Sequence, residues 1–272
     1  MTMPINRIGI VGGGNMAAAL AGGLRAGGFD PACITVTDRM PAQLDRLRER
    51  FAVNTSTDNL LAVKGADLVI LAVKPQDLND VAKQLAAVVT AQQPLVLSVA
   101  AGLRIEAIRR GLAGFERIVR AMPNRPALLG KGVTALYAPP AIDAAARSAV
   151  EGVAHAIGNV VWLEREEQMD AVTAVSGSGP AYFFLLIELL EQAATDQGLP
   201  ADIARTLAVE TAYGAGCMAR ETGADPAALR AEVTSPGGTT AAALAVLENA
   251  DLRGIFRRAV AAACRRAAEL AR

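Results

Sequence analysis

The sequence predicts an α/β fold in two parts, a doubly wound, mostly parallel sheet followed by an all-helical domain. Three observations carry this expectation. Short β-branched runs alternate with amphipathic stretches as far as Leu163, the pattern of a parallel sheet covered by helices. A Gly12-x-Gly14-x-x-Ala17 turn stands between the first such run and the first helix. Past Leu163 the β-branched runs stop, and long segments rich in Ala, Leu, Glu and Arg take over. The 272 residues therefore divide at 1–163 and 164–272, a length that suits one large or two smaller domains.

Taken in order, Arg7–Val11 reads as a strand and Met16–Ala26 as a helix. Ile34–Thr37 is a strand, and Pro41–Arg50 a helix with proline in its first turn. Asp67–Val73 is a continuous apolar run, as a strand buried on both faces requires. Leu78–Val89 is a helix, Pro94–Val99 a strand, Ile105–Gly111 a helix and Arg117–Ala121 a strand. Gly132–Tyr137 adds a strand, Ala141–Ala156 a helix and Val160–Leu163 the last strand. Helices are then expected at Glu166–Val175, Gly179–Gln197, Pro200–Thr222, Pro226–Thr234, Thr239–Asn249 and Leu252–Leu270, with Pro and Gly at their boundaries. Ala181–Leu190 has little polar face. A helix of that kind in a small domain is best buried against another subunit, so the second domain is expected to dimerise.

Composition removes several classes of function. There are 27 Lys+Arg against 27 Asp+Glu, a formal net charge of zero, so the long-range attraction of nucleic-acid and anionic-membrane binders is missing. Aromatics are 4%, too few for base-stacking platforms. No consecutive apolar run approaches the ~20 residues that span a bilayer; Glu188 interrupts Phe183–Leu190, the nearest one. The start of the chain lacks a basic segment followed by a long apolar one, so no secretory leader is expected. Cys33, Cys217 and Cys264 have no metal-ligand spacing and are odd in number. They are expected to be free thiols in a reducing cytoplasm, with no metal site.

The chemistry concentrates at two ends. Ile8–Ala17 reads IGIVGGGNMA. Gly12 permits the tight turn, Gly14 lets backbone approach a pyrophosphate, and the small Ala17 lets helix and strand pack closely. The helix start then presents its unpaired N–H groups to the phosphates. The fold expected is thus Rossmann-type, and the ligand a nicotinamide dinucleotide. After the second strand comes Thr37-Asp38-Arg39. An acid there suits the ribose 2′-OH of NAD, an Arg the 2′-phosphate of NADP. The expectation favours NADPH through Arg39 and Thr37, with Asp38 turned outward and NADH as the alternative. Ala72-Val73-Lys74-Pro75 follows the Asp67–Val73 strand at the sheet edge where ligands bind, and is expected to line the cofactor towards its nicotinamide half. The small residues of Ser98–Gly102 leave room for a flat ring there.

In the helical half, Ser176-Gly177-Ser178-Gly179-Pro180 and Ser235-Pro236-Gly237-Gly238-Thr239 each place a Gly-rich turn before a helix. Such turns suit a carboxylate. The only histidine, His155, lies in an amphipathic helix and is expected to be a surface or satisfied residue. With no lysine after Gly179, a hydroxyacid dehydrogenase fits poorly. A reductase without a strong acid–base residue suits a C=N substrate, because an iminium already carries its proton.

Together, Gly12–Ala17, Ala72–Pro75, Ser98–Gly102, Arg120-Ala121-Met122-Pro123-Asn124, Asp170–Tyr182 and Val233–Thr240 resemble pyrroline-5-carboxylate reductase over essentially the whole chain. The resemblance implies reduction of 1-pyrroline-5-carboxylate to L-proline by NAD(P)H, the last step of proline synthesis. It implies that the backbone of Val11, Gly12, Gly13, Gly14, Asn15 and Met16 cradles the pyrophosphate. It also implies that Thr37, Arg39 and Asn59 contact the adenosine end, and that Ala72, Val73, Lys74, Pro75, Val99, Ala100 and Ala101 flank the nicotinamide half. Thr240 is similar to the family's hydroxyl at the substrate, Thr239 and Thr240 N–H groups would hold the carboxylate, and Glu166 matches a substrate-side position. The helical domain would interleave with a partner's in a homodimer; larger rings of dimers occur in the family. Arg125 and Glu232 depart from the family pattern. The competing readings are a non-catalytic dinucleotide-sensing module and a β-hydroxyacid reductase.

Overall fold

The computed structural model describes residues 3–271. They form two compact units: one takes in Gly177 and the described chain before it together with the stretch from Ala263, and the other is Ser178–Ala262.

The first unit is built on eight strands: β1 (Ile8–Val11), β2 (Ile34–Thr37), β3 (Asn54–Ser56), β4 (Leu68–Leu71), β5 (Leu95–Ser98), β6 (Ile118–Met122), β7 (Gly132–Tyr137) and β8 (Gly158–Trp162). Their order in the sheet is β3-β2-β1-β4-β5-β6-β7-β8, and only the β6–β7 pair is antiparallel. The first six strands thus follow the doubly wound dinucleotide-binding order, which places a crevice where the sheet reverses direction between β1 and β4. Ile8, Ile10, Leu68 and Ile70 face one layer formed by α1 (Asn15–Ala26), α2 (Pro41–Phe51) and α6 (Ala144–His155). Val11, Val69, Leu71 and Val96 face the other, formed by α3 (Asn59–Val63), α4 (Pro75–Gln92) and α5 (Ile105–Gly111). Central strands buried on both faces are why their sequences read as unbroken apolar runs.

The expected strands and α-helices are found in order, with one strand and one α-helix added. β3 is the polar tripeptide Asn-Thr-Ser at the sheet edge, and α3 is a five-residue helix capped by Asp58, whose side chain accepts the Leu60 N–H. Neither carries a hydrophobic period. α4 begins at Pro75, a turn before the expected Leu78, because proline is at home in the first helical position.

The composition changes at Leu163, but the packing changes at Gly177. The intervening stretch contains α7 (Gln168–Val172) and is tied to the sheet by ion pairs described below. The second unit holds α8 (Gly179–Asp196), α9 (Ala201–Thr222), α10 (Pro226–Glu232), α11 (Thr239–Asn249) and the start of α12 (Leu252–Leu270). α8 packs along α9, with Ala204 and Ala208 the buried residues of α9. Arg253 closes the α11–α12 turn by gripping Glu248 at 2.7–3.0 Å, which holds that carboxyl below its ordinary pKa. Phe183 on α8 is 65% exposed, and Leu186, Leu189 and Leu190 are also exposed.

The helical run Gln168–Asp196 is 29 residues long with a mean hydropathy of 1.3 over its most apolar part, and by length and composition it could cross a membrane. Glu188 and Glu191 divide the run without lowering its average far.

Candidate active site

The glycine turn is suspended between two neighbouring strands. Gly12 N–H donates to the Thr37 carbonyl at 2.7 Å, and Ala72 N–H donates to the Val11 carbonyl at 2.8 Å. Gly12 has φ +106°, and a Cβ there would stand 2.6 Å from the Ala72 carbonyl oxygen. Glycine is required on both counts. Gly14 is the N-cap of α1, in extended conformation with no side-chain cap. A Cβ on Gly14 would meet nothing within 4 Å. The turn therefore leaves an open cradle at a helix start whose first N–H groups lack a side-chain acceptor, which suits a pyrophosphate.

Gly12, Gly14, Arg39, Asn59, Val73 and Lys74 line one cleft of about 260 Å³, along with Asp38 and Ala72. Val11 is fully buried and does not line it. Gly13, Asn15, Met16 and Pro75 adjoin the cleft in sequence without lining it. Val99, Ala100 and Ala101 follow β5 at the same strand ends, with Val99 N–H donating to the Leu71 carbonyl at 3.1 Å; they lie outside that cleft.

Two expectations about the adenosine end change. Asp38 is not turned outward. Its Oδ2 accepts the Gly13 N–H at 2.7 Å and its Oδ1 the Met40 N–H at 2.8 Å. The carboxylate locks the glycine turn, a role invisible to a reading that treats it as a ribose contact or a solvated charge. Thr37 does not face the cleft either. Its side chain is buried and donates to Asn59 Oδ1 at 2.9 Å, while Asn59 Nδ2 donates to Gln84 Oε1 at 3.0 Å. Thr37 orients Asn59, and Asn59 is the one at the cleft. The Arg39 side chain is 78% exposed, with Asp77 only loosely engaged at 3.9 Å, so it is free to meet an added phosphate.

Glu166 is engaged by an arginine and a backbone N–H. Its Oε1 accepts both Arg120 Nη1 at 3.0 Å and Ile105 N–H at 2.7 Å. Beside it, Arg104 pairs with Asp170 at 3.5 Å and Glu167 at 3.7 Å. Sequence reasoning took Arg120 as part of a motif only. The signal for more was a lone arginine inside the apolar strand IVRAM, since a buried charge demands a partner. Asn124 joins the same region: its Nδ2 donates to the Ser176 carbonyl at 3.2 Å, and its Oδ1 accepts the Val133 N–H at 2.9 Å.

The first Gly-rich turn is not a fresh helix start. Thr173–Gly177 forms a widened π-type turn between α7 and α8, and Ser176 Oγ donates back to the Val172 carbonyl at 3.1 Å. Such widened turns recur at functional sites. The second motif does open a helix. Gly238 is the N-cap of α11, with no side-chain cap and no acid in the first turn, and Gly237 takes φ +70°. Thr239 is exposed and Thr240 half-buried. His155 lies on the surface of α6, 3.7 Å from Glu151.

Residues 166–270 match a family model described as pyrroline-5-carboxylate reductase dimerisation, and residues 7–102 match one described as NADP oxidoreductase coenzyme F420-dependent. The chain is 42% identical to the pyrroline-5-carboxylate reductase of Pseudomonas aeruginosa over 99% of its own length and 98% of the relative's. A solved pyrroline-5-carboxylate reductase from Coxiella burnetii superposes with a TM-score of 0.93, at 42% identity and covering 98% of each chain. The Plasmodium falciparum pyrroline carboxylate reductase with NADP bound gives 0.86 at 26% identity, covering 100% of each.

Proposed function

The chain belongs to the pyrroline-5-carboxylate reductase family, and from that premise we propose how its residues divide the reduction of 1-pyrroline-5-carboxylate to L-proline. The observation that carries the proposal is the open cradle at Gly14 beside an exposed cation, Arg39. The cofactor is NADPH, with NADH the alternative, and when bound it supplies the hydride that adds to the C=N carbon.

The chain's own groups do the holding. The first N–H groups of α1, from Asn15 and Met16, balance the pyrophosphate charge beyond Val11–Gly14. Arg39 pairs with the 2′-phosphate, a charge-assisted contact worth about 1.5–3 kcal/mol. Asn59, steadied by Thr37, offers polar contacts beside it. Ala72, Val73, Lys74 and Pro75 pass under the dinucleotide, and the small Val99, Ala100 and Ala101 leave space for its nicotinamide half.

For the substrate, the Thr239 and Thr240 N–H groups at the uncapped start of α11 hold the carboxylate, and the Thr240 hydroxyl meets the ring nitrogen or the carboxylate. A protonated imine needs orientation more than an acid, which suits a chain with a single, surface histidine.

A homodimer accounts for the exposed apolar face of α8, which falls within the stretch matched to a dimerisation family. Subunit contact explains this face better than a bilayer does, because Glu188 and Glu191 lie in the same helix. Rings of dimers extend the same principle. The three unpaired thiols and zero net charge suit a cytoplasmic enzyme that binds neither membrane nor nucleic acid.

The test is loss of NADPH absorbance on adding 1-pyrroline-5-carboxylate, with proline identified as product and NADH run in parallel. No turnover with either cofactor overturns the reading.

A further inference from the structure

We propose that the buried Arg120–Glu166 pair is a positioning device for cofactor binding. It fixes the start of α5 and, through it, the loop Val99–Arg104. The proposal rests on the reading above that Val99, Ala100 and Ala101 flank the nicotinamide half.

Arg120 lies within β6, paired in register with Ser98, the last residue of β5, and it is 2% exposed. A guanidinium buried that far persists only with a fixed partner. That partner is Glu166, whose single oxygen Oε1 also takes the Ile105 N–H. One carboxylate oxygen therefore ties an interior strand to the residue at which the loop ends. Arg104, one position earlier, is drawn toward Asp170 and Glu167. At the loop's other end, Val99 N–H is held by the Leu71 carbonyl, and Ala100 N–H reaches Ser98 Oγ at 3.4 Å. Both ends are pinned, with Ala101, Gly102 and Leu103 between them. Stability alone does not call for this arrangement, since apolar residues of equal volume serve a core as well as a buried ion pair or better. What the pair adds is a defined orientation, because a planar guanidinium and a backbone N–H converge on one atom.

The experiment uses the full-length enzyme. Glu166→Gln keeps an acceptor for Ile105 N–H but loses the charge, Glu166→Ala loses both, and Arg120→Lys keeps charge without the planar fork. NADPH and the imine are varied separately, NADPH affinity is titrated by fluorescence without substrate, and circular dichroism reports folding. Glu166→Gln is expected to raise the KM and Kd for NADPH about three- to tenfold, Glu166→Ala further, while the KM for the imine stays within about twofold.

Unchanged NADPH constants in folded variants overturn the proposal. So does a fall in kcat that only tracks the folded fraction, and so does a rise confined to the imine KM, which would return Glu166 to the substrate. If the single variants fail to fold, the double variant Arg120→Met with Glu166→Gln removes both buried charges. It is expected to fold and still bind NADPH weakly; wild-type affinity there overturns the proposal. Ala101→Phe separates the two levels. Unchanged NADPH affinity in Ala101→Phe removes the nicotinamide assignment and this proposal with it. Loss there, with wild-type behaviour in the Glu166 variants, removes the positioning role alone.

Discussion

The Asp38 carboxylate accepts the Gly13 N–H at 2.7 Å across 25 residues of sequence, so the end of β2 holds the nucleotide turn after β1 in shape. With Met40 N–H on its other oxygen, Asp38 satisfies two backbone donors. Asp38→Ala is expected to lower unfolding free energy by about 1–3 kcal/mol, read as a lower urea midpoint with an unchanged m-value. A wild-type midpoint would sink the locking role.

Gly14 and Gly12 differ sharply in what a side chain would meet. Gly14→Val fills open space and keeps ordinary backbone angles, so the protein is expected to fold with a normal melting temperature. NADPH affinity should fall by roughly a hundredfold as the valine occupies the pyrophosphate cradle. Gly12→Ala meets the Ala72 carbonyl at a positive φ and is expected to lose stability itself. Calorimetry with a cofactor titration distinguishes the two.

Arg39 is an exposed cation lining the cleft, the group proposed to meet the 2′-phosphate. Arg39→Ala should raise the KM for NADPH about tenfold or more and leave that for NADH within about twofold, since only one cofactor carries the 2′-phosphate. Parallel losses with both cofactors would place Arg39 elsewhere.

Thr240→Ala is expected to reduce kcat/KM for the imine by one to two decades, about 1.4–2.7 kcal/mol of transition-state stabilisation, with the oligomer intact on a sizing column. Wild-type kinetics in that variant would remove its hydroxyl from the substrate.

Phe183→Glu combined with Leu190→Glu puts charge on a face that the single chain leaves open. The fold of one chain should survive, and the dimer should dissociate on sizing. A dimer of unchanged stability would move the subunit contact away from α8.

The parts legible in sequence were those with a local physical requirement. Ile34–Thr37, Ile105–Gly111, Gly132–Tyr137, Thr239–Asn249 and Leu252–Leu270 have the bounds that periodicity and Gly/Pro punctuation predict. Gly12 and Gly14 follow from what backbone must do at a turn. β3 and α3 escaped because three polar residues and one helical turn carry no period. The orientation of Asp38 and the engagement of Glu166 escaped for another reason. Each depends on a partner 25, 46 or 61 residues away, and side-chain direction at that distance is a property of the assembled sheet. The widened turn at Thr173–Gly177 was masked by glycines that also suit a helix start.

The polypeptide leaves the first unit after Gly177 and re-enters it at Ala263. In the returning stretch Ala267 and Ala271 are buried, and Leu270, itself more than half exposed, lies near Gly102 in the loop after β5. The helical unit is thus an insertion and not an appendage. A gene fragment stopping at Gly177 would encode the sheet with an uncovered seam beside that loop, so no single cut releases the sheet-bearing unit whole.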